Sequence, residues 1–463
     1  MVKQLKSENN QVLSFQEITK SSGLVQKIIF TALMISIYRF GVHIPLYGVD
    51  QEALKSSTVL SSGLLGLVDM FAGGALSALS IFALGIGPYI TSSIIMQLLV
   101  EVVSYLKDLQ RNQGEDGRQQ FQKITRYLTI ALAFFQSLAL ARFLDVAQIA
   151  VDPGFVFYAR TILVLTVTSL FVMWLGEVIT EKGVGNGASL LIFVGIASKL
   201  PVMIKDTATA LRVGSSPQWG VISLVILFLA LTVLIIYIQE GSRNLTIFGA
   251  RKQSVVTKDH ILPLKINPAG VLPIIFASAL LFMPVQLLTF AGMSDKSVSI
   301  LLRETFAALP GIANLTGTSI GAFGSWVAER IEFIFQYSKV EHSIVYLVMI
   351  VAFTFFYSSI VLNPRVIADN LKKSGNSLEG VKPGKPTADF LEKTISRIVL
   401  IGAAAIGLIA VLPIHAEQWF QVNTLGGLGS TSLIILVGVA VDVRNQILSY
   451  IQSHRYQAKS LLD

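Results

Sequence analysis

Ten apolar runs, each about as long as a helix needs to cross a bilayer, dominate this sequence. A span requires about 20 mostly apolar residues to cover a hydrocarbon core ~30 Å thick. The runs fall at 24–46, 81–101, 124–144, 157–176, 186–204, 219–238, 270–291, 342–362, 394–414 and 431–451. Inside lipid every backbone N–H and C=O must be bonded within its own segment, so runs of this kind imply helices. Composition agrees. The chain is 53% hydrophobic and 14% charged, where a soluble domain carries about 25% charged residues. It lacks the polar surface to coat a water-facing domain, and an all-α polytopic membrane protein is expected.

Lys and Arg set the orientation. With the N-terminus in the cytoplasm, that side also receives Lys107, Arg111, Arg118 and Lys123 after the second run. It receives Arg243, Arg251, Lys252, Lys258 and Lys265 after the sixth, and Arg365, Lys372, Lys373, Lys382, Lys385 and Lys393 after the eighth. The opposite loops are poor: 415–430 has no Lys or Arg, and 47–63 has only Lys55. Both termini are therefore expected in the cytoplasm. The net charge of +8 sits in these loops, so it orients the chain in the membrane and implies no direct nucleic-acid readout. The N-terminal stretch "MVKQLKSENNQVLSFQEITK" has no short apolar core before a small-residue cleavage site, and no cleaved leader is expected.

Ten spans with both ends inside divide into two groups of five. Since five is odd, related halves would have inverted topology, with the working site at their interface. The corresponding spans are the second and the seventh, and both are interrupted by Gly and Pro: Gly85, Gly87 and Pro88 in one, Gly270, Pro273 and Pro284 in the other. The expected organisation is a cytoplasmic segment 1–23, a half 24–204, a half 205–451 and a tail 452–463. Residues 64–78, "LLGLVDMFAGGALSA", are apolar but too short to span; an interfacial helix and a re-entrant segment both suit that length.

Several chemistries are absent. There is no HExxH, no phosphate-loop GxxxxGK[ST] and no intramembrane carboxylate pair, and without cysteine there is no disulfide framework and no thiolate metal site. Serines such as Ser325 and Ser430 have no His in a partner span, so no catalytic group, no metal and no cofactor is expected. Arg39, beside His43 and Pro45, is expected to snorkel to the outer interface. "GEVITEKGVGNGASLL" (176–191) reads as a tight turn between two spans. Thr91, Ser92 and Ser93 can bond back to their own preceding turn, yet Gln97, Gln136, Asn267 and Ser278 add polar atoms on other spans. A shared polar stripe suggests a weakly held, hydrated contact. The stretches 243–260 and 363–387 exceed mere turns; adhesion to anionic lipid and docking of a partner both suit them.

The motifs "SIFALGIGPYITSSIIMQLL", "WLGEVITEKGVGNGASLLIF", "PAGVLPIIFASA" and "NPRVIADNLKKSGNSLEGVKPG" together resemble those of the SecY family, the channel subunits of the protein translocase, along essentially the whole chain. The tail, with "QEGSRN", looks most like the cyanobacterial and plastid branch. The resemblance implies a pore between two five-helix halves, closed by a short re-entrant plug helix at 64–78, with Leu64, Leu65, Leu67, Val68, Met70, Phe71, Gly73 and Gly74. It puts the constriction ring on Ile86, Ile90, Ala188, Ile192, Ile275 and Ile435. Ala188 departs from the bulkier residue usual there. It implies a lateral gate of Ile86–Gln97 against Val271–Phe282, carrying Thr91, Ser92, Ile95, Gln97, Gln136, Asn267, Phe276 and Ser278. Loops 239–269 and 363–393 would dock the SecA motor ATPase or the ribosome through Arg243, Arg251, Lys252, Lys372, Lys373, Lys382 and Lys385. Lys382 stands where the family has its signature Arg, and Asn244 replaces the second of an Arg pair. The implied partners are the small membrane subunits SecE and SecG, SecA, the ribosome, SecDF, YidC, signal sequences, nascent chains and the lipid bilayer. The implied location is the bacterial inner membrane or, as the alternative, the thylakoid. A small-solute transporter with inverted repeats is the competing expectation; it would need a buried charge or a compact midplane pocket.

Overall fold

The computed structural model describes residues 22–50, 69, 72–111, 114–214, 217–249, 260–290, 340–420, 422 and 430–460. In chain order the elements are α1 (Ser22–Val42), α2 (Gly87–Val102), α3 (Ser104–Arg111), α4 (Gly114–Val146), α5 (Phe155–Lys182), α6 (Gly187–Val213) and α7 (Gln218–Glu240). There follow β1 (Ser242–Gly249), β2 (His260–Lys265), α8 (Leu272–Phe290), α9 (Val340–Val361), α10 (Pro364–Lys373), β3 (Asn376–Leu378), α11 (Lys385–Trp419) and α12 (Ser430–Ser460). Two compact units result, Met1–Lys199 with Val439–Asp463 and Leu200–Gly438, so the division falls inside α6 and α12.

Eight helices among the described residues are long and apolar enough to cross a membrane. The second expected span falls short of that length; the seventh corresponds to α8, a helix of 19 residues that begins at Leu272. The second run starts as a helix at Gly87, six residues later than expected, and its 16 residues reach about 24 Å at ~1.5 Å each. Gly85 causes the delay: its φ of +52° is a left-handed conformation outside the helical range. Pro88 then sits in the first turn, where its missing N–H is not needed.

Several helices outrun their apolar cores. The helix α4 begins at Gly114 with Glu115 and Asp116 in its first turn, where carboxylates favour the positive end of the helix dipole. The expected tight turn between α5 and α6 is present as four residues, 183–186. Gly183 N–H donates to Ile179 O at 2.8 Å, Gly187 N–H to Thr180 Oγ1 at 2.8 Å and Ser189 N–H to Asn186 Oδ1 at 3.2 Å. These bonds occupy the helix-end donors that a phosphate would otherwise take.

The described parts of the two long basic stretches are folded. In the second unit β1 pairs antiparallel with β2 and with β3, giving the order β2-β1-β3. Leu245 and Ile247 alternate along β1 and Leu262 and Leu264 along β2, and they pack with buried Leu378, Leu391, Ile395 and Val399. Asn363 caps α10 by accepting from Arg365 N–H at 3.1 Å. Parts of both stretches therefore share one apolar core with α11.

Candidate functional site

The residues expected to form the ring, the gate, the plug and the docking face are divided between the two units. In the first unit Ile86, Ile90 and Ile192 are all buried, Ile86 just before α2, Ile90 inside it and Ile192 in α6. Gly176 of α5 lies against both Ile86 and Ala188. A Cβ at Gly176 would stand 3.3 Å from Ile86 Cδ1 and 3.6 Å from Ala188 N. Such close approach brings α5 and α6 together, and Gly187 shows it more sharply, since a Cβ there would lie 1.9 Å from Gly176 O. In the second unit Ile275 and Ile435 are buried, and Gly438 accommodates Val271.

The polar stripe is mostly satisfied inside each unit. Thr91 Oγ1 donates to Gly87 O at 3.1 Å and Ser92 Oγ to Tyr89 O at 2.8 Å, the local back-bonding that hydroxyls in helices commonly adopt. Ser92 also meets Thr129 Oγ1 of α4 at 2.6 Å, so this serine ties α2 to α4. Ile95 is half-buried and Gln136 buried. In the second unit Ser278 Oγ donates to Ile275 O at 2.9 Å, and Phe276 packs edge-on against Phe353 and Tyr357. Within this stripe, Gln97 Oε1 and Asn267 Oδ1 are buried without a hydrogen-bond partner among the described residues.

The segment before α2 corrects two expectations. Leu64, Leu65, Leu67, Val68, Met70 and Phe71 lie outside the described residues. Of the rest, Ala72–Ala78 forms successive turns, so this part of the expected plug helix is not helical. Gly73, at φ +70°, sits so near α6 that a Cβ would be 2.9 Å from Gly195 Cα. Arg39 does not merely snorkel: its Nη1 donates to Gly73 O at 3.2 Å, beside Tyr38 OH donating to Ala72 O at 3.2 Å. The third tie escaped sequence reasoning. Lys199 Nζ on α6 pairs with Asp69 Oδ2, whose other oxygen accepts from Ser77 N–H at 2.7 Å.

Of the residues expected to dock a partner, Arg243, Lys372, Lys373, Lys382 and Lys385 are exposed on or beside the three-stranded sheet, whereas Arg251 and Lys252 lie outside the described residues. No group of three or more potential metal-ligating side chains occurs among the described residues.

These features define a multi-pass helical membrane protein with two helix bundles and a short, tied-down segment entering one of them. Solved structures share that fold. One described as a protein-conducting channel aligns over 91% of both chains with a TM-score of 0.62 at 18% identity. Sec61 in a canine ribosome–channel complex aligns over 91% of both with a TM-score of 0.59. Among sequences, the protein translocase subunit SecY of Synechococcus elongatus is 40% identical over 96% of each chain. That of Porphyra purpurea is 37% identical over 95% of this chain and 99% of its own. The SecY family model matches residues 80–444. The chain belongs to the SecY family.

Proposed function

We propose that this chain is the channel subunit of a protein translocase. It passes unfolded secretory polypeptides across the membrane and releases transmembrane segments sideways into lipid. The observation that carries this reading is the similarity to SecY along 96% of the chain. A SecY subunit is a channel component and not an enzyme, so the work of transport comes from a motor or from chain elongation.

Physical chemistry supports the roles of the residues. A neck lined by Ile86, Ile90, Ile192, Ile275 and Ile435 would dewet when empty and, offering no specific bonds, would accept many sequences in transit. Ala188 leaves that neck wider, so the seal depends more on the plug at 64–78. The gate would part between α2 and α8. Gln97 Oε1 and Asn267 Oδ1, buried without partners, each carry a penalty of about 1–3 kcal/mol that hydration on opening relieves. An entering signal helix would replace the lost apolar contacts and partition into lipid. The exposed cations Arg243, Lys372, Lys373, Lys382 and Lys385 suit docking of SecA or the ribosome, with Arg251 and Lys252 assigned by sequence alone. SecE, SecG, SecDF and YidC are the membrane partners implied. The Lys and Arg distribution favours both termini on the cytoplasmic or stromal side, in a bacterial inner membrane or a thylakoid.

The transporter alternative gains no support from the sequence relatives, which are translocase subunits SecY. The test is reconstitution of the full-length chain with its membrane partners in proteoliposomes supplied with motor and ATP. A signal-bearing unfolded precursor should become protease-protected, and the same precursor without its signal should not. Equal protection of both, or of neither, contradicts the proposal.

A further inference from the structure

Among the described residues, three ties hold Asp69 and Ala72–Ser77 in the first unit, and they differ in kind. Tyr38 and Arg39 donate to the backbone carbonyls of Ala72 and Gly73, bonds that any residue at those positions would accept. The Asp69–Lys199 tie alone joins two side chains of opposite charge.

Asp69 also organises the segment itself. Its backbone carbonyl accepts from Gly74 N–H at 2.9 Å, and its Oδ1 accepts from Ser77 N–H at 2.7 Å. Gly74 leaves room for the lysine stem, whose Cε lies 3.4 Å from where a Cβ would stand. The carboxylate is 4% exposed and the lysine 27%. A charge buried to that degree is stable only with its partner, so losing either one strains the seated segment.

We propose that Lys199 is a specificity-determining residue of this channel: by holding Asp69 it sets the threshold a signal sequence must exceed before the plug leaves the pore. The inference rests on the channel reading of this chain. It also gives Ala188 a counterpart, since a neck with one small residue needs a more firmly seated plug. The backbone bonds from Tyr38 and Arg39 fix where the segment sits. The ion pair fixes how hard it is to dislodge, because separating it uncovers a charge that nothing else in the segment neutralises.

The chain has no cysteine, which permits a clean test. Leu76 is 1% exposed, so in a Leu76→Cys background the rate of labelling by a water-soluble maleimide reads plug seating without requiring transport. Lys199→Met keeps the stem packed on Gly74 but removes the charge; Asp69→Asn keeps an acceptor for Ser77 and removes the opposite charge. Each should speed labelling about tenfold or more, as expected for a buried charge losing its partner. Without the Leu76 substitution, each should raise resting ion conductance in planar bilayers by a similar factor and allow export of precursors with weakened signals. Lys199→Arg, which keeps the pair, should stay near wild type in all three. If Lys199→Met fails to accumulate, Asp69→Asn carries the same test. Unchanged labelling in both neutralised variants overturns the proposal whatever the conductance. Fast labelling with no conductance, even when a strong-signal precursor is added, overturns the channel reading and the threshold role with it.

Discussion

Replacing Ile90 and Ile275 together with asparagine tests the proposed neck directly. The two side chains are 9% and 3% exposed, so each contributes about 1.5–3 kcal/mol of apolar burial. An amide left there without a partner adds a penalty of about 1–3 kcal/mol. A neck that stayed dry would therefore be destabilised by about 5–12 kcal/mol for the pair. Water entry relieves that strain, and a hydrated neck passes ions. Only about 1.4 kcal/mol of the difference need appear as a shift toward the wetted state to change its population tenfold. The assay is resting conductance of the reconstituted full-length chain with no precursor present, with Ile90→Leu/Ile275→Leu as a volume-conserving control. Conductance should rise about tenfold or more in the asparagine pair and stay at background in the leucine pair. Ala188→Ile should lower any residual leak unless it overpacks. Background conductance in the asparagine pair, with normal export, would show that these are ordinary packing positions.

Two further perturbations address the scaffold and the docking face. Gly187→Ala would place a methyl group 1.9 Å from Gly176 O, a backbone atom that cannot swing aside, so a loss of about 3 kcal/mol or more is expected. Helix propensity alone would favour Ala by about 1 kcal/mol, so an unchanged or raised melting temperature in detergent would refute the close α5–α6 approach. Lys382→Glu combined with Lys385→Glu should weaken SecA or ribosome binding most at low salt, and the purified protein should melt as before because both side chains are exposed. Binding unchanged across a salt series would leave lipid adhesion as the role of these lysines.

The parts that were legible in the sequence are those in which one segment decides its own structure. The helix α7 has an unbroken apolar run and appears within two residues of its expected limits, Gln218–Glu240 against 219–238. The start of α2 was misjudged because hydropathy does not distinguish a buried turn from a helix: Ala72–Ile86 is as apolar as the helix after it and largely buried. Its signal was Gly85–Ile86–Gly87–Pro88, already visible as an interruption. The sheet's sequence signal is weak: Leu245/Ile247 and Leu262/Leu264 alternate with period two, but only two apolar residues per strand stand among the surrounding charges. The Asp69–Lys199 pair was not legible at all. The two residues are 130 positions apart, and a lone Lys inside an apolar run looks like a snorkelling residue until its partner is known.

A polypeptide in transit is proposed to thread past Ile90, Ile192 and Ile275. Single cysteines at Ile90, Ile192 and Ile275 can be introduced into a chain that has none of its own. Controls belong on outward-facing positions such as Ile29, 61% exposed, and Val233, 67% exposed. A secretory precursor carrying a thiol-reactive crosslinker, stalled part-way by a folded C-terminal domain, then reports which positions line its path. Crosslinks are expected at Ile90, Ile192 and Ile275 and at neither control. Crosslinks at Ile29 or Val233 with none at the ring would contradict that path.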